Sequence, residues 1–198
     1  MRYSINSGIN LLDNLRWKAV LFFSTLTMKI ILKLKGIQYG SNIDFYGTSK
    51  ILRTKNSSIS IGNNCSFRSL ATSNLIGVNR PCILSSIGEN SRISIGNDCG
   101  FSGTVIGCYT EIKIGNKVRC GANTLITDGD WHNEDYRSGL PRPVMIDDGV
   151  WLGVNVTILK GLHIGENSLI AAGSVVTKDI PANVVAGGNP CKVIRSIE

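Results

Sequence analysis

Histidine is scarce in this chain, with two in 198 residues, and aromatic side chains make up only 7%. Two histidines cannot build a three-histidine metal site within one subunit, and no CxxC pair or Cys/His spacing points to zinc. No metal is therefore expected. Charged residues are few, at 18%, and no Pro-rich or Ser-rich tract accompanies them, which excludes a disordered chain. Long apolar runs are also missing. The stretch from Ala19 to Met28 is broken by Lys29, well short of the ~20 residues that span a bilayer. It begins late and has no small-residue cleavage site after it, so no signal peptide is expected. The formal charge is +7, but the basic residues are dispersed and not interleaved with aromatics. With no recognition motif, nucleic acid is excluded as a partner, and a phosphate-rich small molecule suits the charge better.

Glycine is what the chain has in excess, at 22 residues. Near the C-terminus, six consecutive hexads begin with an aliphatic residue: Ile146, Leu152, Ile158, Ile164, Ile170 and Val176. A period of six does not fit a helix, whose apolar face returns every ~3.6 residues. It fits a chain coiling round a narrow prism. Each hexad is then a short strand plus a corner, its first position points inward, and glycine relieves crowding at the corner.

ISIGNNCSF (residues 59–67), ISIGNDCGF (93–101) and IKIGNKVRC (112–120) are copies of one unit. VMIDDGVWL (144–152) and LHIGENSLI (162–170) repeat it more loosely. From Val144 to Leu162 is 18 residues, three hexads and hence one turn of a three-sided coil. From Ile112 to Val144 is 32, one turn plus 14 extra residues. The excess falls in residues 127–143, TDGDWHNEDYRSGLPRP, which lack the hexad pattern and contain His132. Such an excursion from a rigid scaffold is where function concentrates. Cys65, Cys99 and Cys120 fall at inward positions, so the six cysteines read as reduced core thiols of a cytoplasmic protein.

Three segments follow: 1–36 helical, 37–180 the coil with loop 127–143, and 181–198 a cap that folds back. Residues 9–35 carry apolar side chains at helical spacing (Leu12, Leu15, Ala19, Phe22, Phe23, Leu26, Ile30, Leu34), and no acid occurs between Asp13 and Asp44. Its broad apolar stripe favours packing across the open end of the coil or on a neighbouring subunit. The other reading is peripheral contact with an anionic membrane surface.

The stretch WLGVNVTILKGLHIGENSLIAAGSVVTKDIPANVVAGGNPCKVI (residues 151–194) closely resembles the hexapeptide-repeat acyltransferases, among them the galactoside and maltose O-acetyltransferases. LKGIQYGSNIDFYGTSKI (residues 34–51) looks like the branch acting in capsule, O-antigen and exopolysaccharide synthesis. The resemblance implies an all-β fold: a left-handed parallel β-helix of hexapeptide repeats with an N-terminal α-helix and a protruding catalytic loop. It also implies a homotrimer with active sites between subunits. The handedness rests on the family alone, because it opposes the usual right-handed crossover.

By the same resemblance, a histidine on the loop deprotonates an acceptor hydroxyl, which attacks the thioester of acetyl-CoA directly; His132 is the matching residue. Imidazole suits the task because its pKa lies near neutrality. Asp130, or Asp128, would orient that imidazole or bind a sugar hydroxyl, with Asp130 preferred. His163, inside the regular coil, is read as structural, and Glu134, Asp135 and Arg137 as the loop's polar surface. The family's asparagine in the preceding rung is absent, and Ser102 stands in that stretch as a candidate hydrogen-bond donor. Gly153 or Val154 would offer a backbone N–H to the oxyanion. Gly153, Ala171, Ala172 and Gly173 would line the pantetheine arm, with Val154 beside them, and Thr177, Lys178, Lys192 and Arg195 would meet the phosphates and adenine. Trp151 would wall the acceptor pocket. The expected activity is acetyl-CoA-dependent O-acetylation of a sugar or glycan intermediate. Acetylation of an amino sugar, antibiotic or serine is the alternative from the same family, and a non-catalytic scaffold is the alternative from another class.

Overall fold

A computed structural model describes residues 7–132 and 134–197, with helix side chains described from residue 13 onward, so Leu12 lies outside the described side chains. After the helix Ser7–Leu34, the chain forms strands of two to five residues distributed over three sheets. Successive strands fall in the first, second and third sheet in turn. Val144–Ile146, Trp151–Leu152 and Thr157–Ile158, for example, belong to three different sheets. All pairings within the coil are parallel, so the body is a parallel β-helix with three faces.

The repeated units stack in register. Ile59, Ile93, Ile112 and Val144 are direct partners along the first sheet, as are Ile61, Ile95, Ile114, Ile146 and Ile164. All are buried. A period-six sequence therefore becomes columns of aliphatic side chains, each filling the same slot of successive rungs. Phe45, Phe67 and Phe101 make a second column, their rings stacked at 4.9 and 5.0 Å. All six cysteines are buried free thiols, and burial pushes the Cys82 and Cys120 thiols above their ordinary value.

The corner between the first and second sheets explains the Ile-Gly-Asn signature. A Cβ on Gly62 would lie 2.5 Å from the Gly96 carbonyl oxygen, and one on Gly96 would lie 2.6 Å from that of Gly115. Only glycine permits such close rungs. The next residue forms an amide ladder: Asn63 Nδ2 donates to Asn97 Oδ1, Asn97 to Asn116, and Asn116 to Asp148, each at 3.0 Å. The residue after that takes a left-handed conformation at Asn64, Asp98 and Asn167, which short polar side chains tolerate.

The helix covers one end of the coil. Met28 and Leu32 are fully buried, Thr25 Oγ1 accepts the Phe45 N–H at 3.0 Å, and Trp17 meets Tyr46 edge-on. At the other end the strand pattern runs further than expected. Val184–Gly187 extends the second sheet in parallel beside Leu169–Ile170, and only Lys192–Ser196 turns back antiparallel.

Candidate functional site

Loop 127–143 leaves the coil between a strand of the third sheet, Leu125–Thr127, and one of the first, Val144–Ile146. Its neck is pinched shut by Arg142 N–H donating to the Asp128 carbonyl at 2.8 Å. Asp128 was expected at the acceptor, and the structure corrects this. Its carboxylate is fully buried, accepting the N–H groups of Tyr109 (2.6 Å) and Thr110 (2.7 Å) and the Thr110 hydroxyl (2.9 Å). A carboxylate with its lone pairs so occupied fastens the loop root and has no face left for a substrate.

Asp130 does not touch His132 either. Its Oδ2 pairs with Lys160 Nζ and accepts the Gly139 N–H at 3.0 Å, while Lys160 also donates to the Gly139 carbonyl at 2.9 Å. Lys160 holds the Asp130 carboxyl below its ordinary value. The pair is a staple between the loop and the corner after Thr157–Ile158. The carboxylate beside the imidazole is Glu134, which sequence reading had assigned to the loop's polar surface. His132 Nδ1 lies 3.3 Å from Glu134 Oε1, with both side chains more than three-quarters exposed. With Nδ1–H turned toward Glu134, Nε2 is the nitrogen left to take a proton.

Trp131, just before it, sits at φ 68°, a rare conformation for a bulky residue and one that marks local strain beside His132. Its indole is held by Nε1–H donating to Thr127 Oγ1 at 3.0 Å and by Tyr109, edge-on at 5.5 Å. Gly107 leaves the space that the ring fills. None of Trp131, Tyr109 and Gly107 was singled out from sequence, although a tryptophan directly before the loop histidine was the available signal.

The small residues converge on a different corner, between the second and third sheets. Gly153, Val154, Ala171 and Ala172 line one cleft of about 460 Å³ with Trp151, Gly121, Ala122, Asn74 and Ile76. Gly173 adjoins it, at φ 72° with open space where a side chain would stand. At the first corner the asparagine ladder takes the backbone N–H of Asn63, Asn97 and Asn116. Here the matching positions are Ala122, Val154 and Ala172, which carry no acceptor. Among the described residues, no hydrogen bond takes their N–H groups. Ala122 is fully buried, so the donors open to the cleft are the N–H groups of Val154 and Ala172, on successive rungs. The Gly153 N–H is not among them, because it donates to the Ile170 carbonyl at 2.8 Å.

The far wall of the cleft comes from residues 69–82, between strands Ser66–Arg68 and Ile83–Ser86. Sequence reading overlooked this second excursion, whose signal is the 34-residue spacing from Ile59 to Ile93. Asn123 anchors it, accepting the Asn79 N–H at 3.0 Å and donating to the Gly77 carbonyl at 3.2 Å. Ser102 is buried below it and accepts from Asn74 Nδ2 at 3.1 Å, so it supports this loop and does not stand on the corner that carries the His132 of its own protomer. The remaining cofactor candidates do not gather at the cleft. Thr177 and Lys178 are exposed on the same corner as Lys160, and Lys192 and Arg195 are exposed on the last strand. His163 pairs with Asp147 at 2.7 Å on the first face.

A family profile described as "Bacterial transferase hexapeptide (six repeats)" matches residues 143–178. The chain is 45% identical over 98 residues to galactoside O-acetyltransferase of Escherichia coli (strain K12), covering 48% of each chain. It is 48% identical over 93 residues to that of Lactococcus lactis subsp. lactis, covering 44% of each. The chain thus spans under half the length of these curated relatives. Among solved structures, a mutant of AntD, an N-acyltransferase from Bacillus cereus in complex with dTDP-4-amino-4,6-dideoxyglucose and coenzyme A, superposes with a TM-score of 0.64. It is 20% identical and covers 86% of this chain and 89% of that one, a likeness of fold.

Proposed function

We propose that this chain, which belongs to the hexapeptide-repeat transferases, moves an acetyl group from acetyl-CoA to a hydroxyl of a sugar or glycan intermediate. The observation that carries the proposal is the cleft with its open N–H groups on Val154 and Ala172. A narrow arm with amide carbonyls, such as pantetheine, answers such a row, and the absence of bulky side chains allows the close approach it needs. The relatives' O-acetylation of galactosides supports a sugar hydroxyl as acceptor.

In this reading His132 Nε2 takes the proton of the acceptor hydroxyl while that oxygen attacks the thioester carbonyl. Glu134 steadies the imidazolium that forms, and the Val154 N–H supports the oxyanion, since that of Gly153 is already engaged. Collapse of the tetrahedral intermediate expels the CoA thiolate, which recovers the proton. The loop and the cleft lie on different corners of one prism. A left-handed coil assembled as a trimer would bring the His132 of one protomer to the cleft of the next. The test is CoA release from acetyl-CoA across a panel of galactosides, maltosides and glycan intermediates. Acceptor-dependent release supports the transferase, and failure to bind CoA at all would remove it.

A further inference from the structure

The helix Ser7–Leu34 is apolar on two sides, and only one of them is covered. Met28 and Leu32 pack on the coil, with Thr25 fastened to the Phe45 N–H. On the opposite side Leu15, Phe22, Phe23, Leu26 and Ile30 are 50–65% exposed, and together they form one continuous stripe at helical spacing. Lys18, Lys29, Lys33 and Arg16 border it. The acids facing this region are Asp13 at its start and Asp44, which shares a groove with Lys18 and Lys29.

We propose that this outward face docks the protein on an anionic lipid surface, with the helix lying in the plane of the interface. An apolar stripe flanked by lysines is the arrangement that buries aromatic and aliphatic groups among acyl chains while the ammonium groups reach the headgroups. No described helix is long and apolar enough to cross a membrane. A second copy of the chain is the poorer occupant by charge. Two such faces meeting would set Lys18, Lys29 and Lys33 against their own copies, with only Asp13 and Asp44 at the edges to answer them. The geometry also suits a surface-bound enzyme. The helix rests on the first rung, at Asp44–Tyr46, while loop 127–143 and the cleft belong to later rungs and stay free of the surface.

The test is flotation of the full chain with vesicles of pure phosphatidylcholine or of phosphatidylcholine mixed with phosphatidylglycerol, at low and high salt. Two double variants run beside it: F22S with F23S, and K18E with K33E. All four side chains are exposed, and melting curves with light scattering check fold and mass. Binding is expected on the anionic vesicles alone and is weakened by salt. Each basic residue near the surface contributes about fivefold, so the charge-reversed pair and the serine pair should each lose at least about tenfold in partitioning, at unchanged mass. Wild-type protein that ignores anionic vesicles, or that binds them regardless of both variants, overturns the proposal. So does a drop in mass on Phe22→Ser and Phe23→Ser, which would make this face an interface between copies. The readout contains no acetyl transfer, so its outcome is separate from that of the transferase reading.

Discussion

Removing the Lys160 staple should slow catalysis without loosening the protein. Lys160→Met keeps the aliphatic stem in place and deletes the ammonium that joins Asp130 to the Gly139 carbonyl. Lys160 is 16% exposed and Asp130 41%. A hydrogen bond to a charged group is worth about 1.5–3 kcal/mol when buried, and the exposure of Asp130 discounts the pair to about 1–2 kcal/mol. That energy holds the loop in one position, so its loss should lower kcat/KM about 5- to 30-fold. The binding constant for CoA should stay unchanged, because the cleft lies on another corner, and melting should shift little, because no core column is touched. The wild-type staple has its own pH signature. Asp130 is depressed in the folded chain, so its contribution is complete above the ordinary carboxylate value of ~3.9 and is lost only as pH falls through the lowered one. The staple therefore adds no break to a pH–rate profile near neutrality. A Lys160→Met enzyme with wild-type kcat/KM would refute the claim that the staple positions His132, and a large fall in melting temperature would make Lys160 a structural residue instead.

Three further outcomes follow from the coil. Asp128→Asn turns an amide toward the N–H groups of Tyr109 and Thr110; it should cost about 1–3 kcal/mol in denaturant titration and leave the acceptor KM unchanged, whereas a raised KM at constant stability would restore Asp128 to the substrate. Phe67→Ala breaks the column between Phe45 and Phe101 and should cost about 3–5 kcal/mol by equilibrium unfolding, a loss below about 1 kcal/mol arguing against that packing. The six buried cysteines should resist a disulfide reagent in the native protein and all react in denaturant, and rapid native labelling would contradict their burial.

The coil was legible because its physics is periodic. Each copy of the Ile-X-Ile-Gly unit had to put the same residue in the same slot, and Ile59, Ile93 and Ile112 indeed became partners. Loop 127–143 was legible as a break in that period. The partners of its acids were not, because contacts made through a folded loop do not follow sequence distance. Asp130 reaches Lys160, 30 residues on, and Asp128 reaches back to Tyr109 and Thr110, whereas Glu134 meets His132 directly. The excursion at 69–82 escaped notice because it holds no histidine or motif, only excess length. The open donors on Val154 and Ala172 were beyond sequence reading for another reason. They emerge only when one corner is compared with the asparagine ladder of the other.

The most direct test of the central claim is the pH–rate profile of acceptor-dependent CoA release for wild type and His132→Ala. The account predicts an acid limb in the wild-type profile, because the base must be unprotonated to act, a fall of at least ~10²-fold in the variant, and loss of that limb, with CoA binding retained. A variant that keeps wild-type kcat and the same limb would show that another group carries the proton, and that the exposed imidazole beside Glu134 is not the base.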